Sequence, residues 1–250
     1  MARPRHILIL GGTGDAARLA HLAVEAFGAD AVTTSLAGVT REPAPLPGRV
    51  RTGGFGGAEG LAAYLKEHAV DRLVDATHPF AATISAHAVE AAADTCVPRL
   101  VLSRPPWRRQ PTDRWIEVDD MHEARYALDD QANVVFLAVG RKELAQFKDL
   151  WGFRFHIRLV EEPDRVLPVN DYSLTIARGP FTIEGETELF QREKIRTVVA
   201  KASGGESGYA KIAAARALGL PVILVRRPAD PPGPAAATPE DALAWLQGTP

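Results

Sequence analysis

Gly12, Gly14 and Ala17 stand in G-x-G-x-x-[G/A] spacing, directly after the apolar run Ile7-Leu-Ile-Leu10. That spacing suits a dinucleotide, because glycines allow a tight turn and a close approach by pyrophosphate at a helix N-terminus. A helix with Leu19, Leu22, Ala23, Ala26 and Phe27 on one face should follow. Gly11, Gly12, Thr13, Gly14 and Asp15 are the candidate cofactor residues of this turn, although a plain strand-to-helix turn uses the same glycines. The next strand ends in Thr33-Thr-Ser-Leu-Ala-Gly-Val-Thr-Arg41, with no carboxylate before Glu42. An acidic group there would bind the ribose 2′-hydroxyl of NAD, so Ser35 and Arg41 favour NADPH, unless Arg41 is only a solvated loop residue. Gly54, within Gly53-Gly-Phe-Gly-Gly57, is a further cofactor candidate or a simple turn glycine.

Asp75-Ala-Thr-His-Pro-Phe-Ala81 closes a fourth strand, where doubly wound sheets face their ligand. Thr77 is assigned to the cofactor, and Thr77 or His78 caps a helix that Pro79 begins. His78 serves binding first and proton donation second, a structural histidine being equally common. Farther along, Val198-Val-Ala-Lys-Ala-Ser-Gly-Gly-Glu-Ser-Gly208 again runs from strand to glycine loop to helix. Lys201, the amides of Ser203, Gly204 and Gly205, and Lys211 would form a compact anion site. Arg141, Lys142 and Arg178 also follow strands and join this basic set, or merely solvate helix starts. There is no Walker A loop, His-Glu-x-x-His pair, Cys/His cluster or G-x-S-x-G elbow, so no metal is assigned and redox chemistry with a diffusible cofactor fits better.

These residues need strands to carry them. Expected strands are Ala31–Ser35, Arg49–Thr52, Arg72–Ala76 and Arg99–Ser103, with helices at Glu59–His68 and Phe80–Ala93. A proline-rich break at 104–112 leads to a second alternation. Its strands are Val134–Val139, Phe153–Val160, Ser173–Ala177, Thr197–Lys201 and Val222–Val225, and its helices Arg141–Lys148, Glu186–Glu193 and Glu206–Leu218. After a proline-rich linker, Thr238-Pro-Glu-Asp241 should cap a terminal helix through Trp245. The expected fold class is α/β: two Rossmann-like lobes, 1–110 and 111–250, with largely parallel sheets and an interlobe cleft. A hydrophobic share of 46% among 250 residues supports such folded cores. The single Cys96 points to a reducing, cytoplasmic setting, and no apolar run nears the ~20 residues of a membrane span. A net charge of −2 gives no global attraction to nucleic acid.

Taken together, Gly11-Gly-Thr-Gly-Asp-Ala16, Thr34-Ser-Leu-Ala-Gly38, Asp75-Ala-Thr-His-Pro-Phe-Ala81, Ala177-Arg-Gly-Pro-Phe181 and Lys201-Ala-Ser-Gly-Gly205 resemble the precorrin-6A reductase family over nearly the whole chain. The resemblance implies NADPH-dependent reduction of one macrocycle double bond in cobalamin biosynthesis, giving precorrin-6B; a related branch acts on the cobalt-containing macrocycle, apparently with NADH. It further implies a cofactor lobe first and a tetrapyrrole lobe second, with Arg141, Lys142, Arg178, Lys201 and Lys211 meeting substrate carboxylates. Val39 stands where an Arg is common in the family, and Arg comes only at 41. Two other readings share the first motif: a reductase of a small substrate, and a protein that senses NADP(H) without turning it over. Charge removal at Lys201 separates the first of these, since it harms only a polyanionic substrate.

Overall fold

The computed structural model describes residues 4–38, 44–129 and 133–248. Arg41 lies outside them, and so does Val39. The chain divides into two compact units, 1–105 with 228–250, and 106–227.

In the first unit, strands β1 (Ile7–Leu10), β2 (Val32–Leu36), β3 (Arg49–Thr52), β4 (Arg72–Asp75) and β5 (Arg99–Leu102) form a parallel sheet, completed by β12 (Ala235–Ala236). The order is β12-β5-β4-β1-β2-β3. Every residue of β1 is buried, as expected of a central strand covered on both faces. Helix α1 (Gly14–Phe27) turns Leu19, Ala20 and Ala23 onto Ile7, Ile9 and Val74. The opposite face is covered by α2 (Ala58–Glu67) and α3 (Ala82–Thr95), which bring Leu61, Leu65, Ala88 and Ala91 to Leu8, Leu10 and Leu73.

The second unit repeats the plan. Strands β6 (Arg114–Val118), β7 (Val134–Ala138), β8 (Arg154–Leu159), β9 (Tyr172–Ile176), β10 (Thr197–Lys201) and β11 (Pro221–Val225) are parallel, ordered β6-β11-β10-β7-β8-β9. Helices α5 (Ile183–Arg192) and α6 (Ala210–Ala217) pack Leu189, Phe190 and Ile212 on Phe136, Val198 and Leu224. The short helix α4 (Met121–Tyr126) begins at Asp120, whose carboxylate accepts from the Glu123 amide.

Two parallel α/β sheets therefore agree with the expected class, but the boundary between units does not fall at 110/111. The chain leaves the first unit after Pro105 and returns at Pro228. The return is fixed by β12 pairing with β5 and by α7 (Pro239–Gln247), whose Ala242 and Leu246 share the core with Ile7, Ile9 and Leu19. As expected, Thr238 caps α7 by accepting from the Asp241 amide, with a proline in the first turn. Local corrections have physical causes. Instead of a helix over Arg141–Lys148 there is a 3-10 turn at Glu143–Phe147, whose buried Leu144 and Phe147 are spaced three apart, the period of that turn. Helix α3 starts at Ala82, so neither Thr77 nor His78 caps it. Helix α6 starts at Ala210, and β6 and α4 have no counterpart among the expected elements.

Candidate functional site

In an open parallel sheet the ligand crevice lies beyond the carboxyl ends of the strands, where the strand order reverses. In the first unit that point lies between β1 and β4. The β1 turn brings Gly11, Gly12, Thr13, Gly14 and Asp15 there. A Cβ on Gly11 would come within 2.9 Å of Thr34 Cγ2, while its amide donates to Ser35 O at 2.9 Å. Gly12 has φ +108°, which favours glycine, and nothing lies within 4 Å of where its Cβ would be. The same space is open above Gly14. Thr13 is the fastener: its hydroxyl accepts from Ala16 N at 3.0 Å and donates to Ala76 O at 2.9 Å, tying the β1 turn to the end of β4. With the Ala16 amide taken by Thr13, the Gly14 and Asp15 amides that open α1 are the ones placed to face an anion. The Asp15 carboxylate accepts from Arg104 Nε at 2.6 Å. That pairing neutralises a charge that would repel phosphate.

At the end of β2, Ser35 Oγ accepts from Arg51 Nη1 at 2.7 Å. Arg51 also donates to Gly53 O at 2.9 Å and Gly54 O at 3.0 Å, and its guanidinium lies 3.8 Å from the Phe55 ring centroid. Sequence reasoning missed Arg51. Its link to Ser35 is the β2–β3 register, in which the two are direct partners.

Beyond β4, Asp75 is 2% exposed, and its Oδ1 accepts from Thr77 N at 3.2 Å and Thr77 Oγ1 at 2.7 Å. Its Oδ2 is buried, with no hydrogen-bond partner among the described residues. A cleft of about 370 Å³ opens here, lined by Asp75, Thr77, His78, Ser85, Ser103 and Asp230 among apolar neighbours. His78 is exposed, and its Nδ1 accepts from Phe80 N at 3.3 Å. The first unit thus gathers the expected Gly11–Asp15, Ser35, Gly54, Thr77 and His78 along one sheet edge.

In the second unit the order reverses between β7 and β10. Gly140, Arg141 and Lys142 follow β7, and Ser203, Gly204 and Gly205 follow β10, so both loops flank that point. Gly204 and Gly205 each have φ +68°, and Gly205 O accepts from Trp107 Nε1 at 2.6 Å. Arg141, Lys142 and Arg178 are exposed. Lys201 pairs with Glu143. Lys211 Nζ donates to Gly208 O at 2.8 Å and lies 5.6 Å from the Trp107 ring, and burial pushes its amine down to about 8 against the opposing pull of Glu186. Arg158 and Glu186 form a two-pronged pair at 2.6 and 2.8 Å, with the Arg158 guanidinium 3.9 Å from the Phe181 ring. Burial lowers the His156 imidazole below its usual range, opposed by Glu193, and both ring nitrogens are held by Ser173 and Thr175. Among the described residues no three His, Cys, Asp or Glu side chains gather as a metal would need.

Residues 6–247 match the family described as Precorrin-6x reductase CbiJ/CobK. The chain belongs to that family. As a precorrin-6x reductase it is an oxidoreductase, and the individual matches agree. It is 46% identical over 241 residues to "Precorrin-6A reductase" of Rhodobacter capsulatus, covering 96% of this chain and 95% of that one. A solved structure titled "CobK precorrin-6A reductase" has a TM-score of 0.92 at 44% identity, covering 98% and 96% of the two chains. "Cobalt-precorrin-6A reductase" of Priestia megaterium is more distant, 30% identical over 235 residues, with 89% and 90% covered. No helix among the described residues of this precorrin-6x reductase is long and apolar enough to cross a membrane.

Proposed function

We propose that the protein reduces metal-free precorrin-6A to precorrin-6B with NADPH. The observation that carries this reading is the β1 turn, where open space above Gly12 and Gly14 meets the α1 N-terminus and Thr13 locks the turn to β4. A bound nicotinamide supplies the hydride. Gly12, Thr13 and Gly14 hold the pyrophosphate through backbone amides, and the Asp15–Arg104 pair keeps that surface from being anionic. Ser35 and Gly54 border the adenosine half, and Thr77 and His78 border the crevice at β4. In the second unit, Arg141, Lys142, Arg178, Lys201 and Lys211 and the amides of Ser203, Gly204 and Gly205 receive the substrate's carboxylates. The metal-free substrate is favoured because identity is 46% to a relative named for it and 30% to one named for the cobalt form. His78, exposed at the crevice, is the candidate donor of the proton that completes the reduction. A lone exposed Cys96 and a net charge of −2 support a cytoplasmic enzyme without nucleic-acid partners.

The test is anaerobic incubation with precorrin-6A and NADPH, following cofactor absorbance and macrocycle spectrum together, with NADH and cobalt-precorrin-6A in parallel. Stoichiometric NADPH loss with a shifted macrocycle spectrum is the expected result. Binding of NADPH without turnover of either macrocycle would overturn the reading.

A further inference from the structure

Arg51 differs from several arginines of the first unit in having no carboxylate partner among the described residues. Arg18, Arg49 and Arg104 pair with Glu240, Asp30 and Asp15. Arg51, half-buried, instead donates three hydrogen bonds to neutral oxygens: the Ser35 hydroxyl and the carbonyls of Gly53 and Gly54. One face of the guanidinium rests on Phe55, with Tyr64 at 5.3 Å. The group is thus aimed and partly desolvated, yet its charge meets no carboxylate among the described residues. Among the described residues three of its five N–H donors are used, which leaves two that could meet a ligand. Ser35 Oγ accepts from Arg51, so its own hydrogen also remains to be donated.

The position matters as much as the charge. Ser35 is the penultimate residue of β2, the strand whose tip reads the adenosine ribose in a dinucleotide fold. A carboxylate at that tip would accept from a 2′-hydroxyl but repel a 2′-phosphate; a fixed guanidinium beside a hydroxyl attracts the phosphate and offers it N–H and O–H donors. We propose that Arg51, fixed by Ser35 and the Gly53-Gly54 turn, is the residue that selects a 2′-phosphorylated adenosine over one with a free 2′-hydroxyl. The inference rests on the proposed nucleotide role of the β1 turn, and it moves the determinant from the Arg41 loop to strand β3. Rigid side chains lose little freedom on binding, so a guanidinium already caged by three bonds is well suited to a planar two-donor contact with phosphate.

The test is equilibrium binding by calorimetry, with no turnover involved. Adenosine 2′,5′-bisphosphate, 5′-AMP, NADPH and NADH are titrated into the wild type and into Arg51→Gln, Arg51→Lys and Ser35→Asp. Wild type should prefer the 2′-phosphorylated ligand of each pair. Arg51→Gln should weaken those ligands by about 10- to 100-fold, the range for loss of a charge-assisted contact, and leave 5′-AMP and NADH within about twofold. Arg51→Lys should recover part of the loss. Ser35→Asp should reverse the preference by repelling the phosphate and accepting from the hydroxyl. If Arg51→Gln weakens both members of each pair equally, Arg51 only braces the Gly53-Gly54 turn and the inference is overturned, while nucleotide binding stands. If wild type binds none of the four ligands, the inference and the proposed cofactor site fall together.

Discussion

In the proposed role of Lys211 as a receiver of substrate carboxylates, one side chain would tie substrate affinity to pH. Trp107, Ser203 and Lys211 converge on Gly208, where a Cβ would lie 3.1–3.2 Å from each, and this enclosure holds the amine at about 8. Because the folded value lies below the unfolded one, near 10.5, the unfolded chain holds the proton more tightly between the two. Stability from this group should therefore rise from about pH 8 to 10.5, whereas its attraction for a carboxylate should fade as pH rises from 7 to 9. Lys211→Met should raise the denaturation midpoint at pH 7 and weaken precorrin binding by about tenfold. Lys211→Arg should make that binding independent of pH over the same interval. Fluorescence titration of each variant at pH 7 and 9 checks both, and a pH-independent wild type would remove Lys211 from the anion site. The contacts of the candidate site were only partly legible in sequence. The Gly12–Gly14 turn is local and could be read, whereas Arg51 reaches Ser35 through strand register across sixteen positions, which no local pattern displays. Asp15 could be read as part of the β1 turn, but not its partner Arg104, which lies two residues past the end of β5.

At the scale of elements, Thr13 joins three pieces of structure: the β1 turn, the start of α1 and the end of β4. Thr13→Val keeps the shape but removes both hydrogen bonds. It should cost about 1–2 kcal/mol of stability, the range for loss of an N-cap, and weaken dinucleotide binding beyond what that stability loss explains. Thr13→Ser should keep both properties near wild type, as urea unfolding and calorimetry would show. A binding constant unaffected by Thr13→Val would mean the β1 turn needs no fastening to β4. Strands flanked by glycine or proline turns were the most legible elements: Arg49–Thr52 and Thr197–Lys201 have their expected bounds. Strand β6 escaped notice because an edge strand with only Trp115 and Val118 buried has no apolar run. The six-residue α4 is too short to show helical periodicity.

For the molecule as a whole, the sequence displays two alternating α/β stretches but not which one owns the C-terminal segment. The proline-rich 228–234 reads as a linker, and nothing local reveals that Ala235 and Ala236 pair with Val101 and Leu102. Leu246, 1% exposed, lies in the first unit's core. Leu246→Ala should cost about 2–4 kcal/mol through the cavity it leaves. Hydrogen exchange should quicken in β1 and β5, far along the chain from the substitution, and hold steady in β10. Equal loosening of β10 would show that the two units unfold as one.

Synthesis on the ribosome runs in one direction, and here it separates parts that belong together. Strand β5 emerges more than one hundred residues ahead of β12, and the whole of 106–227 is made in between. During that interval Ala242 and Leu246, which share the core with Ile7, Ile9 and Leu19, have not yet been made. The unit begun first is therefore finished last, and a nascent chain meets its cofactor with a complete fold only after the second sheet has been translated.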